Sequence, residues 1–335
     1  MGVLRCPSGV SDDPSGDRCI TDCRAGDSKF ASRAKKMCLS ARWTRRAPTM
    51  DAGEMPPTPT ARRKRVGIEL RKMREAAGRT AGDAAAVLGL DRSKITLIEQ
   101  GAYPISAERV LALASEYEEA DAAYVDAVAE MAADRTKGWW EEHRGLVPAG
   151  ILEISEVEHY ARVLVTYQIC HAPGLMQTEE TARAIFREVH PPLRPLNIEA
   201  RVENRMRRAE LLTGGDPLEY EAIVHEAALR MEFGGAAVAR EQLKQLLVLS
   251  EAPNVTLRVL EFKAGGFKGA GHAVLYASGP VPRLDTVQLD SVGSPAFLTE
   301  MNQLENYRHI IGAMRDRALD PSASRDVISS IMNSM

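Results

Sequence analysis

The stretch GLDRSKITLIEQG, residues 89–101, places hydrogen-bonding side chains on one side of a short predicted helix. At the helical period of about 3.6 residues, Ile95 and Ile98 fall together and must face a core. The other sides combine cations, hydroxyls, a carboxamide and one leucine, carried by Arg92, Ser93, Lys94, Thr96, Leu97 and Gln100. Such polar groups donate hydrogen bonds to base edges and to phosphate oxygens.

This predicted helix has the polarity of a helix that reads DNA. The major groove of B-DNA, about 12 Å wide, admits an α-helix. Arg92 is the best candidate for a bidentate contact with guanine, which is worth about 1–3 kcal/mol of discrimination. The free backbone N–H groups at the start of the helix favour a phosphate. The alternative is an ordinary solvated face, so the neighbouring elements must decide between the two readings.

The neighbouring elements are short helices separated by glycines. Apolar spacing predicts a first helix from Val66 onward. Thr80 and Asp83 form a capping box that starts a second helix, and Asp91 caps the third after a glycine turn. Two further helices follow before residue 135. This order is the helix-turn-helix layout.

Residues 66–120 resemble the lambda-repressor-like (XRE or Cro-type) DNA-binding domain. The resemblance is carried by LRKMREAAG, by the turn that ends at Gly89 and by ITLIEQG. It implies an all-α helix-turn-helix domain of four to five helices over 62–135, with a recognition helix over 91–100 in the major groove. It places base contacts on Arg92, Ser93, Thr96 and Leu97. We assign phosphate contacts to Lys94, Gln100 and Thr80.

The same resemblance implies a structural ion pair, Arg74 with Glu99, between the first and third helices. Removing one partner of such a buried pair costs more than the pair contributes. One departure from the family lies just after Thr80, where Ala81 and Gly82 replace a glutamine that often meets DNA. Specific affinity is then either modest or dependent on a basic arm, which we interpret as a phosphate or minor-groove contact. The arm consists of Arg62, Arg63, Lys64 and Arg65.

The first 61 residues predict no folded core. Residues 1–49 are rich in Arg, Lys, Ser, Gly and Asp and show little periodicity, which is typical of disorder. Four cysteines within the first 38 residues fit no common zinc spacing. We interpret 1–61 as a disordered extension that ends in the basic arm, or as a gene-model artefact with translation starting at Met50 or Met55.

The remainder, 136–335, predicts an α+β regulatory or partner-binding domain with a small sheet. Alternating runs indicate strands at Tyr220–Val224, Val255–Phe262, Ala273–Tyr276 and Val287–Asp290. Helical stretches are predicted near 151–170, 178–188, 197–212, 226–250 and 299–318. Motifs such as HAPGLMQTEETARAI and RVENRMRRAELL resemble, over about 139–331, the C-terminal domain of actinobacterial WhiJ-like or Scr-type antitoxin-like regulators.

No set of residues forms a catalytic constellation. His225 with Glu226 lacks the second histidine of a zinc-protease motif. The loop GGFKGAG, 265–271, lies between two predicted strands and is interpreted as a hairpin loop rather than a phosphate cradle. Cys170, beside His171, is interpreted as a buried cysteine. We therefore expect no enzyme activity, no cofactor and no bound metal.

The net charge of −3 averages two unlike segments. Residues 62–103 carry ten basic and five acidic side chains, whereas residues 104–160 carry four and thirteen. Such asymmetry indicates charged partners, here double-stranded DNA. The absence of a long apolar run or a signal-peptide core favours a cytoplasmic protein, associated with the nucleoid through DNA.

The leading hypothesis is a dimeric, sequence-specific DNA-binding transcriptional regulator. Its alternative is an antitoxin-like module that neutralises, or is controlled by, a small partner protein. A third hypothesis is a small-molecule sensor with its pocket in the C-terminal domain, for which the sequence shows no ligand signature.

Overall fold

Five helices come first in the computed structural model, which describes residues 59–291 and 294–335. They are α1–α5, spanning Ala61–Ala76, Ala81–Leu88, Arg92–Glu99, Ala107–Glu116 and Ala122–Ala133. Their apolar stripes meet in one core that includes Leu70, Ile95 and Val110, as expected for helices that bury one side. The all-α prediction for this region is confirmed. Residues 1–58 of the extension predicted over 1–61 lie outside the described residues.

A six-stranded mixed sheet forms the centre of the following region. Strands β1–β6 span Val163–Gln168, Glu219–His225, Val255–Leu260, Val274–Ser278, Thr286–Leu289 and Ala296–Leu298. Their order is β3-β2-β1-β4-β5-β6, parallel from β3 to β1 and antiparallel from β1 to β6. Parallel neighbours require crossover connections, and here helices supply them. The predicted α+β class is confirmed.

Helices cover both faces of this sheet. They are α6–α12, spanning Ala149–Tyr160, Glu179–Arg187, Pro195–Ala209, Glu226–Arg230, Ala236–Leu249, Met301–Arg315 and Pro321–Ser334. One sheet face packs against α10 and α12, and the other packs against α11. Because successive strand residues point to opposite faces, each strand contributes to both cores.

Strands β1 and β6 were not predicted, and one loop was assigned to the wrong kind of connection. The four predicted strands are present as β2–β5, but β1 lies inside the stretch 151–170 that was predicted as helix. Its residues VLVTYQ are almost all buried, and a strand covered on both faces lacks the alternation that marks a half-exposed one. The loop 265–271 is not a hairpin, because it joins β3 to β4 and these strands are separated by β2 and β1.

Three smaller differences concern local features. The predicted helix 226–250 is divided into α9 and α10, with Gly234 and Gly235 between them at φ of 78° and 90°. Helix α12 was not predicted. Cys170 is exposed rather than buried, because it follows β1 in a surface turn where the core has ended.

Charged side chains join the helical region to the C-terminal region, and the described residues from 59 onward form one compact unit. Glu156 of α6 accepts hydrogen bonds from the backbone N–H groups of Ala61 (2.6 Å) and Arg62 (3.3 Å). A carboxylate at this position satisfies free N–H groups and the dipole at the start of α1. The boundary at residue 135 stays a prediction.

The predicted basic arm is the first turn of α1. Arg62 and Arg65 are only 8% and 7% exposed. Arg62 pairs with Asp134, and Lys64 pairs with Glu153 of α6. For Arg62 and Arg65 the interpretation as an arm is wrong, because these buried side chains form contacts inside the protein. Contacts of the half-buried Arg63 and Lys64 with phosphate stay predictions.

The contact of Asp134 with Arg62, at the start of α1, is sensitive to acid. Burial acts to raise the pKa of Asp134, but hydrogen bonds from Thr136 and Tyr160 and the charge of Arg62 outweigh it and lower the pKa from 3.8 to about 2. A lowered pKa means that the contribution of this carboxylate to stability is complete above pH of about 4 and is lost as the pH falls towards 2.

We expect Asp134→Asn to be less stable than the parent protein at neutral pH, because the ion pair with Arg62 is lost. The difference should close as the pH falls from about 4 to 2, since the parent then loses the same contact. Urea midpoints measured for both proteins across this range provide the test. A difference that stays constant with pH would contradict the assignment.

Candidate nucleic-acid interface

Helices α2 and α3 are joined by a tight turn. The backbone N–H of Asp83 donates to Thr80 Oγ1 (3.2 Å), and the backbone N–H of Thr80 donates to Asp83 Oδ2 (2.7 Å), so the predicted capping box is confirmed. Gly89 ends α2 at φ 62°, a left-handed conformation that glycine adopts without strain. Asp91 is the N-cap of α3, but its side chain forms no capping hydrogen bond. The side chain of Asp91 therefore accepts no hydrogen bond from the first backbone N–H groups of α3.

One face of α3 is buried and the other is open. Ile95 and Ile98 are each 2% exposed and lie in the helical core, as predicted. Leu97 is 42% exposed. The open face carries the predicted base-reading side chains Arg92, Ser93, Thr96 and Leu97. The structure thus brings these four residues together on one surface, and their contacts with bases stay a prediction.

The charge on this face comes from Arg92 and Lys94. Arg92 is exposed and Lys94 is half-buried. Within 59–291 and 294–335, neither side chain takes part in an ion pair, whereas the exposed Arg71 of α1 pairs with Glu75. The two cations are therefore free to meet an anionic partner.

The other predicted phosphate contacts lie at the margins of this face. Thr80 and Gln100 are exposed, at the start of α2 and the end of α3. Arg63 is half-buried, and its Nη2 donates to the backbone oxygen of Ala102 (3.1 Å) in the loop after α3. Phosphate contacts by these residues, and by the half-buried Lys64, stay predictions.

A bidentate ion pair fixes the end of α3 to α1. Arg74 Nε and Nη2 donate to Glu99 Oε1 (2.6 Å) and Oε2 (3.0 Å), and both side chains are 12% exposed. The hydrogen bond to Glu99 raises the pKa of Arg74. The structure therefore joins the two residues that the family resemblance paired.

Two glycines let α1 and α3 touch backbone to backbone. A Cβ atom on Gly67 of α1 would lie 2.4 Å from the carbonyl oxygen of Ile98 and 2.5 Å from that of Glu99. Gly101, at φ 71°, would place a Cβ atom 2.7 Å from the backbone nitrogen of Lys64. The close packing at Gly67 was not predicted, although a glycine inside a helical pattern is a signal for it.

The fold and this surface are those of a helix-turn-helix domain, a class typical of DNA-binding proteins, and residues 65–124 match the family model of a helix-turn-helix domain. Residues 151–330, more than half of the chain, match the family described as Domain of unknown function (DUF5753), and the protein belongs to that family. Neither a curated protein nor a solved structure matches the chain. Every helix in the described part is too short or too polar to span a lipid bilayer.

Proposed function

We propose that this protein is a sequence-specific transcriptional regulator that inserts α3 into the major groove. The observation that carries the proposal is the open face of α3, where Arg92 and Lys94 lack ion-pair partners among the described residues. The ion pair between Arg74 and Glu99 holds this helix in a fixed orientation, and orientation is what base recognition requires. Arg92 reads a base edge and Lys94 holds a phosphate.

Arg92→Ala should lower affinity for the cognate DNA by about ten- to a hundredfold and relax the preference at one base pair. Lys94→Ala should weaken cognate and unrelated DNA alike and lower the salt slope by about one. Binding of the purified protein to the DNA upstream of its own gene, compared with an unrelated fragment across a salt series, measures both effects.

Arg187→Ala is the matched control, because Arg187 is an exposed arginine at the end of α7, outside the helix-turn-helix domain. It should bind like the parent protein. If the folded parent shows no preference for the upstream DNA at any salt concentration, the proposal fails. A small protein that then co-purifies in equal amount from the native host would favour the antitoxin-like alternative.

We also propose that the protein binds DNA as a homodimer. Its C-terminal domain, which resembles that of WhiJ-like regulators, would carry the dimer contact and receive the regulatory signal. A single helix-turn-helix makes few base contacts, so these domains usually occupy two half-sites about 34 Å apart. Mass photometry with and without DNA tests this part, and a monomer under both conditions would overturn it.

A further inference from the structure

A cavity of about 620 Å³ lies in the C-terminal region, between one face of the sheet and helices α6 and α8. Its volume falls within the range of about 300–1,000 Å³ that is usual for small-molecule sites. The sheet contributes three polar side chains to an otherwise apolar face. They are Thr166 and Gln168 of β1 and Gln288 of β5, which are 3%, 8% and 5% exposed.

Helix α8 lines the cavity with three arginines, spaced so that they share one side of the helix: Arg201, Arg205 and Arg208. Arg208 is paired, since its Nε and Nη2 donate to Glu158 of α6 at 2.7 and 2.6 Å. Arg205 Nη1 donates to the neutral Gln177 Oε1 (2.7 Å). No carboxylate among the described residues lies within ion-pair distance of Arg205 or Arg201.

Several polar side-chain atoms that line the cavity are buried without a hydrogen-bond partner among the described residues. The Nε atoms of Arg201 and Arg205 and the Oε1 atom of Gln168 form no hydrogen bond within the described part of the chain. Burial, together with the charge of the neighbouring Arg208, lowers the pKa of Arg205 to about 9, so this guanidinium is still charged at neutral pH. Buried polar atoms normally have partners and buried charges normally have counter-charges.

The rest of the cavity leaves the positive charge in excess. Its carboxylates are Glu158, which Arg208 occupies, and the exposed Asp290, which accepts a hydrogen bond from Gln288 (2.8 Å). Gly174, in a 3-10 helix, leaves space for the arginines, because a Cβ atom there would lie 3.0 Å from Arg205 Nη1. The described lining thus offers hydrogen-bond donors and space without a carboxylate to match them.

We propose that this cavity binds a small organic anion, whose carboxylate or phosphate group is held by Arg201 and Arg205. Guanidinium groups bind both of these oxyanions through paired N–H donors. The apolar body of the ligand packs against side chains on the cavity wall such as Ile154, Leu175 and Leu275. Helix α6 carries Glu158, which lines the cavity, and Glu156, which accepts a hydrogen bond from the first backbone N–H of α1. This single helix therefore lies between the ligand and the helix-turn-helix region.

Thermal unfolding of the full-length protein with phenyl phosphate, benzoate and benzyl alcohol tests the proposal. At least one of the two anions should raise the Tm, because a ligand of the folded state stabilises it, and the neutral alcohol should not. A response to phenyl phosphate alone assigns a phosphate ligand, and a response to benzoate alone assigns a carboxylate. Failure of both anions to shift the Tm at about 10 mM would overturn the proposal, because even millimolar affinity is then detected.

Arg205→Met should abolish this Tm shift and should leave the Tm without ligand equal or higher, since it removes a half-buried charge that has no ion-pair partner among the described residues. Arg207→Met is the matched control on α8, because Arg207 faces Glu142 and Trp139 outside the cavity. It should keep the shift. If Arg205→Met does not fold, Arg201→Gln takes its place, and an unchanged shift in the folded variant would overturn the proposal. None of these readouts involves DNA, so this proposal fails or survives separately from the proposed function.

Discussion

Glu158→Gln is expected to lower the free energy of unfolding by about 3–5 kcal/mol, the usual cost of breaking a buried ion pair. Glu158 and Arg208 are 2% and 6% exposed and share two hydrogen bonds. Glutamine keeps the size of the side chain but removes its charge. The buried guanidinium of Arg208 and the half-buried one of Arg205 then both lose their nearest carboxylate. Urea unfolding with an unchanged m-value measures the loss.

Glu142→Gln is the matched control, because Glu142 makes an exposed pair with Arg207 of the same helix α8. Its cost should stay below about 1 kcal/mol. The double variant Glu158→Gln with Arg208→Met should recover much of the lost stability, because it removes the charge left unpaired. If the double variant is as unstable as the sum of its single changes, the cost comes from lost packing rather than from unpaired charge.

Gly67→Ala is expected to displace α3, the helix that we propose to enter the major groove. The added methyl group would meet the carbonyl oxygens of Ile98 and Glu99 at 2.4 and 2.5 Å. These are backbone atoms, so no rotation of a side chain relieves the clash, and α1 and α3 must separate. We expect a stability loss of about 3 kcal/mol, the upper end for overpacking, and a loss of DNA binding at temperatures where the protein is still folded.

Gly82→Ala provides the comparison, since it is the same substitution in the neighbouring helix α2. A Cβ atom there would meet only Thr80 Oγ1, at 3.4 Å. Alanine is favoured over glycine in a helix by about 0.5–1 kcal/mol, so stability should stay equal or rise. Equal effects of the two substitutions on urea midpoint and DNA binding would show that the close approach of α1 and α3 has no functional importance.

Most local features of the helix-turn-helix region were predicted from the sequence. Thr80 and Asp83 form the predicted capping box, and Gly89 makes the predicted turn. Ile95 and Ile98 are buried on the predicted side of α3. Each of these features depends on residues that are within about four positions of one another, the distance over which caps and helical faces act.

The errors share a different origin. The strand β1 resembles a continuation of α6 because both of its faces are covered, and only its neighbours β2 and β4 show why it is extended. The cations of 62–65 were interpreted as an arm because their partners are remote in the chain. Arg62 meets Asp134, and Arg65 donates to the backbone oxygen of Arg283.

The sequence by itself determined the class of each region, the capping box and the glycine turn that precede α3, and the surface that α3 presents, because these follow from local spacing and backbone preference. Only the tertiary structure decided which cations remain free and which are used inside. Among the described residues, Arg92 forms no ion pair, Arg62 pairs with Asp134, and Arg205 lines a cavity in which no carboxylate lies within ion-pair distance of it. The physical reason is that the environment of a charge depends on what other elements bring next to it, and a linear pattern of arginines does not record those neighbours.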